Sequence, residues 1–428
     1  MIQTEVEQIF EQVLSYQNSD YLQLSLTGTE LANTRFANNT ITQNTVQKDS
    51  GLSVTASFGQ KVGQASTNRL QADGLKEVVS RAEKIAQSAA EDSEYLPPVS
   101  TQTYAKVSAY DRQTAMTSPQ ARAEEIQLAI QQCQPKGLKL AGHYSTGWNF
   151  RSVANSNGLL AYHRQSYASY TNTVMSNTSS GWAETVGEHL DLIDPLRTVE
   201  IASQKAIASQ SPKDITPGKY TVILEPSAVA SILGPMFYSL DARSAHEGRS
   251  AFADKEGTQI GQSTVDLYSQ SNHPACPNTP FFFNGLPVEK THWIKAGILE
   301  NLAYNRFWAN QTRHKYTGSP TNVIMSGDHN TIEQMITDLE RGLLVTRFWY
   351  VRFVDPMTLL LTGMTRDGLF WIEDGQIQYG VKNLRFNESP LNVLANIEMI
   401  GQAQRASGST YIPPIMVKNF NFTSGTAF

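Results

Sequence analysis

Tyr21-Leu22-Gln23-Leu24-Ser25-Leu26 and Gly51-Leu52-Ser53-Val54-Thr55-Ala56 place an apolar side chain at every second residue. Successive side chains of a strand leave opposite faces of a sheet, so this alternation marks strands with one face on a core and one on water. Turn residues punctuate the run at Asn38-Asn39, Asp49-Ser50-Gly51 and Gly59-Gln60. They predict an antiparallel sheet of four or five strands between Tyr21 and Asn68. Directly after it, Leu75, Val78, Val79, Ala82, Ile85 and Ala86 recur at helical spacing. A helix with one apolar face laid on such a sheet is the α+β arrangement.

The flanks extend this pattern. Val6, Ile9, Phe10, Val13 and Leu14 share one face of an N-terminal helix, with Thr4 and Glu7 spaced as a capping box. Residues 92–118, with Pro97-Pro98 and many hydroxyl side chains, predict a surface linker. A helix from about Pro119 to Cys133 precedes a strand-rich run to about Glu188. Tyr162, His163, Tyr167, Tyr170, Thr171 and Thr173 stand in that run, on a solvated sheet face or lining a cleft. His143, His163 and His189 have no metal-ligand spacing and are expected to be solvated or hydrogen-bonded. A helix from Pro195 to Gln210 and the turn Thr216-Pro217-Gly218 mark a boundary.

Beyond it come the strand Tyr220–Leu224, a helix opened by Pro226, the strand Thr321–Met325 and a helix from about Thr331. Next follow an aromatic strand Arg341–Tyr350, a hairpin turn at Asp374-Gly375, a helix Pro390–Met399 and a last strand Ile412–Lys418. A chain of 428 residues exceeds one ordinary core. The expected organisation is two domains, 1–215 and 216–428, each a mainly antiparallel sheet with packed helices.

Composition excludes several classes of function. The formal net charge is −5, and Lys and Arg are scattered, which leaves no basic groove for nucleic acid. The most apolar window, Met357-Thr358-Leu359-Leu360-Leu361, is far too short for a bilayer. Cys133 and Cys276 carry no disulfide spacing, and Met1–Glu7 has no export signature, so a cytoplasmic location is expected. Gly248-Arg249-Ser250-Ala251-Phe252 is not a nucleophile elbow, and no phosphate-cradling glycine loop exists.

Chemistry concentrates between Phe237 and Trp308, around Ala245-His246-Glu247-Gly248-Arg249-Ser250-Ala251. In a helical metallopeptidase motif the imidazole ligates the metal and the neighbouring carboxylate activates water. A second His one turn on must complete the pair. Arg249, Ser250 and Ala251 occupy those places, and none ligates well. An altered zinc site of His246 with His273 or Cys276, and Glu247 as base, is the remaining catalytic possibility.

The surrounding stretches resemble the TldD/PmbA (TldD/TldE) family. They include Glu225-Pro226-Ser227-Ala228-Val229-Ala230, Asn284-Gly285-Leu286-Pro287, Gly297-Ile298-Leu299-Glu300-Asn301-Leu302 and Tyr316-Thr317-Gly318-Ser319-Pro320. Thr362-Gly363-Met364 and Gly368–Ile377 continue the match, and Arg35–Asn39, Gly51–Ala56 and Gly63–Thr67 look like the family's opening sheet. The resemblance implies two kinds of paired subunit. TldD-type chains carry His-Glu-x-x-x-His and a C-terminal Cys, and PmbA-type chains lack them. Here Ala251 stands at the second His, and Arg405-Ala406-Ser407-Gly408-Ser409-Thr410 contains no Cys.

The resemblance therefore implies a PmbA/TldE-type subunit without its own catalytic metal, paired with a TldD-type subunit in proteolysis or peptide maturation. A non-hydrolytic homodimeric peptide-binding scaffold is the other alternative. His246, Glu247, Arg249, Phe283 and Asn284 are the candidate contacts to an extended peptide, which would add along a strand edge.

Overall fold

A computed structural model describes residues 1–426. Helix α1 (Gln3–Leu14) is closed at its start by Glu5, whose carboxylate accepts the Ile2 N–H at 2.9 Å. Thr4 and Glu7 lie inside the helix, so the expected capping box does not form; only its carboxylate half is made, by Glu5 two residues earlier. Strands β1 (Tyr21–Ala37), β2 (Thr40–Phe58), β3 (Lys61–Thr67), β4 (Lys139–Asn155), β5 (Leu160–Met175) and β6 (Ser180–Gly187) form one antiparallel sheet in the order β3-β2-β1-β4-β5-β6. Its helices are α2 (Ala72–Ser88), α3 (Arg112–Ala115), α4 (Pro119–Cys133) and α5 (Pro195–Ala208).

Tyr21 to Asn68 yields three strands, two of them unusually long, rather than four or five. Asn38 and Asn39, both at positive φ, make the expected tight turn. Asp49-Ser50-Gly51 instead stays extended, paired with Thr29, Gly28 and Thr27 of β1. Residues 42–49 are exposed, so the polar run marks where the hairpin passes beyond the core.

Even-numbered positions face the helices. Leu22, Leu24, Leu26, Leu52, Val54 and Phe150 pack with Val6, Phe10, Leu75 and Val78. Phe36, Leu140, Tyr170 and Val174 pack with Ile126, Ile130, Val199 and Ala202. Alternation then places Gln23, Ser25, Thr27, Asn149, Arg151, His163 and Gln165 on the opposite face. His163 is 7% exposed, so it is not the solvated imidazole expected; it interacts with Gln165, and its Nε2 is left without a close hydrogen-bond partner.

Residues 95–111 contain neither helix nor strand, yet they are not a free linker. Val99 and Tyr104 pack on Val153, Leu159, Ala161 and Phe281. Asn155 Nδ2 donates to the Val99 carbonyl at 2.7 Å, Arg306 to the Pro97 carbonyl at 2.9 Å, and Tyr104 Oη to the Gly285 carbonyl at 2.7 Å. The segment is a strap whose backbone is held by side-chain donors from both halves, which leaves no periodic signature.

The second half begins with β7 (Lys219–Leu224), α6 (Pro226–Leu233) and α7 (Ala242–His246). Strands β8 (Leu267–Ser269), β9 (Thr291–Lys295) and β10 (Ile298–Leu299), helix α8 (Arg306–Thr312), β11 (Val323–Met325) and α9 (Ile332–Asp338) follow. The chain closes with β12 (Arg341–Asp355), β13 (Leu360–Glu373), β14 (Gln376–Gly380), β15 (Leu384–Glu388), α10 (Pro390–Ala395), β16 (Ile397–Ile400), β17 (Gln404–Ala406), β18 (Thr410–Ile412) and β19 (Ile415–Gly425).

Strands β12, β7, β19, β15 and β13 pair in that order, and β13 pairs back to β12, so the five close a ring. A smaller sheet runs β10-β9-β8-β11-β18-β17. Pairing is antiparallel except at β12–β7 and β11–β18. Asp374 and Gly375 make the β13–β14 hairpin turn at positive φ. The expected helix Pro390–Met399 stops at Ala395 and gives way to β16. The expected last strand is two strands, because Pro413-Pro414 offer no N–H to a ladder. Val222, Leu224, Val229, Ile232, Phe252, Trp293, Leu343, Phe386 and Phe420 belong to the core joining ring and small sheet.

Candidate functional site

Helix α7 is little more than one turn. Asp241 caps it by accepting the Ser244 N–H at 2.8 Å, His246 is its last residue, and Gly248 at φ +70° ends it. Ala251 lies beyond that break and is buried in the core. The chain cannot present residues 246 and 251 on one helix face.

Both ring nitrogens of His246 are engaged. Trp308, on α8, sits above the ring because Asn305 caps α8 by accepting the Trp308 backbone N–H at 2.8 Å. Its indole Nε1–H donates to Nδ1 of His246 at 3.1 Å. An indole nitrogen can only donate, so in the neutral ring the hydrogen sits on Nε2. Nε2 lies 3.2 Å from Tyr304 Oη, and Tyr304 in turn donates to Glu256 Oε2 at 2.7 Å. Burial, then Glu256, push the Tyr304 phenol above its ordinary range. The His314 ring stacks on Tyr304 with centroids 4.5 Å apart.

Glu247 points away from this chain into ionic contacts. One oxygen accepts Arg243 Nε at 3.0 Å, and the other is held by the Arg249 guanidinium. Arg243 also pairs with Glu94, just before the strap, at 2.8 Å and lies over the Trp308 ring. Hydrogen bonds from Arg249 and then Arg243 hold the Glu247 carboxyl below the usual carboxylate range. A carboxylate bound to two guanidiniums is a weak proton acceptor.

Phe283 and Asn284 lie on the turn Phe282–Leu286. Asn284 Oδ1 accepts the Leu286 N–H at 3.0 Å and its Nδ2 donates to Tyr316 Oη at 3.0 Å, so this residue shapes the turn. Phe283 is half exposed and stacks under the Arg151 guanidinium, 4.2 Å from the ring centroid. Phe281 is buried. Tyr316 touches this turn, and the neighbouring Thr317 Oγ1 accepts the Tyr304 N–H at 2.8 Å. The two candidate groups, His246-Glu247-Arg249 and Phe283-Asn284, are thereby linked through one short segment.

The altered zinc site is not assembled. His273 packs on Tyr268 and Tyr411, and Cys276 lies one turn on, its carbonyl accepting Asn322 Nδ2 at 2.6 Å. Burial pushes the Cys276 thiol up to about 11, away from the thiolate a metal needs. Among the described residues no group of three or more His, Cys, Asp or Glu converges in a way that could hold a metal. The residues at His246 do not fit one either, since neither nitrogen is free.

Sequence reasoning missed Glu256, Tyr304, Trp308 and His314, which have no mutual spacing. It also missed a charged seam between the halves. Arg405 pairs with Glu188 at 2.6 Å and Lys205 with Glu225 at 2.6 Å, while Asp367, paired with Arg347 inside the second half, accepts the Ser180 hydroxyl of the first at 2.7 Å; all these charged groups have little exposure. Glu184 accepts the Ser407 N–H at 3.1 Å and the Ser227 hydroxyl at 3.0 Å, and burial raises its carboxyl above the ordinary range. This seam occupies the C-terminal segment where the resemblance placed a missing Cys.

Fold and site together place a short, capped helix bearing His246-Glu247 on a two-part scaffold of antiparallel sheets, the arrangement of a metallopeptidase-related protein. Three models match in succession: PmbA/TldA metallopeptidase domain 1 (residues 23–86), the central domain (68–210) and the C-terminal domain (217–424). The chain belongs to the PmbA/TldD family, and within it is a PmbA/TldE-like protein.

It is 23% identical over 400 residues to the metalloprotease PmbA of Escherichia coli O157:H7, covering 86% of both chains. To a PmbA homolog of Haemophilus influenzae it is 22% identical, covering 82% of this chain and 80% of that one. Among solved structures, TldE from Thermococcus kodakarensis superposes with a TM-score of 0.87 at 18% identity, covering 98% and 99%. A Thermotoga maritima protein described as a modulator of a DNA gyrase gives 0.88 at 18%, covering 98% and 100%. No helix among the described residues is long and apolar enough to cross a membrane.

Proposed function

We infer that this chain is a subunit without its own catalytic metal, which pairs in the cytoplasm with a TldD-type subunit and helps that partner hold extended peptides for hydrolysis. The observation that carries the reading is His246: one nitrogen accepts from Trp308, the other meets Tyr304, and position 251 is alanine. A metal ligand would need one of those nitrogens bare. Two parts, 1–215 and 216–428, belong to the same proposal. The first offers a polar sheet face and an open strand edge, since β3 covers only Leu52–Phe58 of β2 and, among the described residues, no strand pairs outside residues 41–50. The second supplies the cluster around His246 and the Phe283 turn. An extended peptide adding to such an edge gains backbone hydrogen bonds with broad sequence tolerance.

Co-expression with a TldD-type chain from the same organism tests this. The expected result is a stable complex that hydrolyses peptides, with Glu247→Gln in this chain barely changing the rate and the corresponding change in the partner abolishing it. Peptidase activity of this chain alone, lost in Glu247→Gln, would establish an altered-site enzyme instead. A homodimer that ignores the TldD-type chain would leave the peptide-binding scaffold.

A further inference from the structure

Among the described residues, Arg151 is an arginine without a hydrogen-bond acceptor. It sits mid-strand in β4 on the sheet face away from the helices, directly opposite Thr27 of β1 and His163 of β5. The flanking pairs on that face are Val153 with Ser25 and Ala161, and Asn149 with Thr29 and Gln165. None of these carries charge. Its partner among the described residues is the Phe283 ring, 4.2 Å away. A guanidinium has five N–H donors in a planar fork, and leaving them unanswered in a partly buried place is costly. Burial alone draws its pKa down, with no carboxylate opposing the shift.

The neighbours are under-satisfied in the same way. His163 is 7% exposed with Nε2 unpartnered, and Gln165 Oε1 is buried and unpartnered. Burial, opposed by an interaction with Gln165 and aided by the charge of Arg151, lowers the His163 pKa to about 4. A neutral imidazole with hydrogen on Nε2 is a donor, and the Gln165 carboxamide can turn its NH2 end inward. Two polar groups, each with a buried atom lacking a close partner, stand beside one cation.

We propose that Arg151, with Phe283 as its floor and His163 and Gln165 beside it, is a subsite for a carboxylate group of a peptide ligand. A carboxylate matches the guanidinium fork in plane, which the stacked Phe283 ring leaves open at the edge. The carboxylate comes from a free C-terminus or from an acidic side chain. This rests on the peptide-binding part of the proposed function and names what such a peptide must carry.

Saturation-transfer NMR on the full chain, with N-acetylglycine and N-acetylglutamate α-amide as small acids against their neutral amides, reads the subsite. Expected is transfer to the acids, none to the amides, and loss of transfer in Arg151→Gln. Arg151→Lys keeps the charge without the fork and should recover part of it. Whichever acid gives the stronger transfer identifies the source. Titration with short peptides then tests the wider reading. A peptide bearing the favoured carboxylate should bind about tenfold or more tighter than its neutral twin, a gap that Arg151→Gln closes. Peptides that bind wild type and Arg151→Gln with the same preference would overturn the subsite and leave peptide binding standing. Small acids that bind through Arg151 while no peptide binds would leave the subsite and remove the peptide reading. A melting curve confirms that each variant is folded.

Discussion

The indole N–H of Trp308 donates to Nδ1 of His246 at 3.1 Å, joining the last residue of α7 to the first turn of α8. That one bond sets the tautomer of the imidazole, because the donor cannot reverse its role. In nitrogen-detected NMR at pH 8, His246 should give the pattern of hydrogen on Nε2. Trp308→Phe should relax it to a mixture. An Nδ1–H tautomer in the wild type would contradict the arrangement.

The same engagement predicts how the protein treats zinc. After incubation with zinc and removal of the excess, elemental analysis should find well under one metal per chain, unchanged in His246→Ala. Ala251→His alone should not create a site, because Gly248 ends the helix before the second imidazole could share a face with the first. About one zinc per chain, lost with His246, would show the opposite.

His163 predicts a pH dependence. Its folded pKa of about 4 lies below its unfolded value near 6.5. Between those values the unfolded chain binds more protons than the folded one, so stability rises with pH across this window and is lost as pH falls through it. The loss attributable to this residue is up to about 3 kcal/mol at pH 4. Urea unfolding from pH 4 to 7.5 should show a steeper acid decline for wild type than for His163→Gln. Parallel curves would mean that the imidazole is not held neutral.

The Glu188–Arg405 pair ties the two halves, with side chains 8% and 13% exposed. Arg405→Met leaves a buried carboxylate unpaired and should cost about 3–5 kcal/mol. Adding Glu188→Leu should recover much of that loss, since the desolvation penalty of the second ion disappears with it. A double-mutant cycle in urea measures this. A small single-mutant effect would mean that solvent reaches the seam.

Much of the N-terminal sheet was legible because its strands keep one wet and one dry face. Leu22, Leu24, Leu26, Leu52 and Val54 alternate in sequence and share one core in space. The reading failed where polarity meant something else. Asp49-Ser50-Gly51 looks like a turn, but it is a strand that has outrun its helix cover. The strap over residues 95–111 was legible only as irregular, because its bonds come from Asn155, Tyr104 and Arg306 rather than from a ladder.

The site divides in the same manner. Local sequence was enough to find His246-Glu247, to see Ala251 where a second imidazole would stand, and to place the chain in its family. Periodicity and adjacency are short-range properties, and a missing ligand is visible one turn away. What occupies the imidazole instead is a tertiary matter. Trp308 and Tyr304 reach His246 from the segment around α8, with Glu256 behind Tyr304, and Arg151, His163 and Phe283 meet from three separate segments. Hydrogen bonds and stacking act over a few ångströms, and only the folded chain brings residues so distant in sequence within that range.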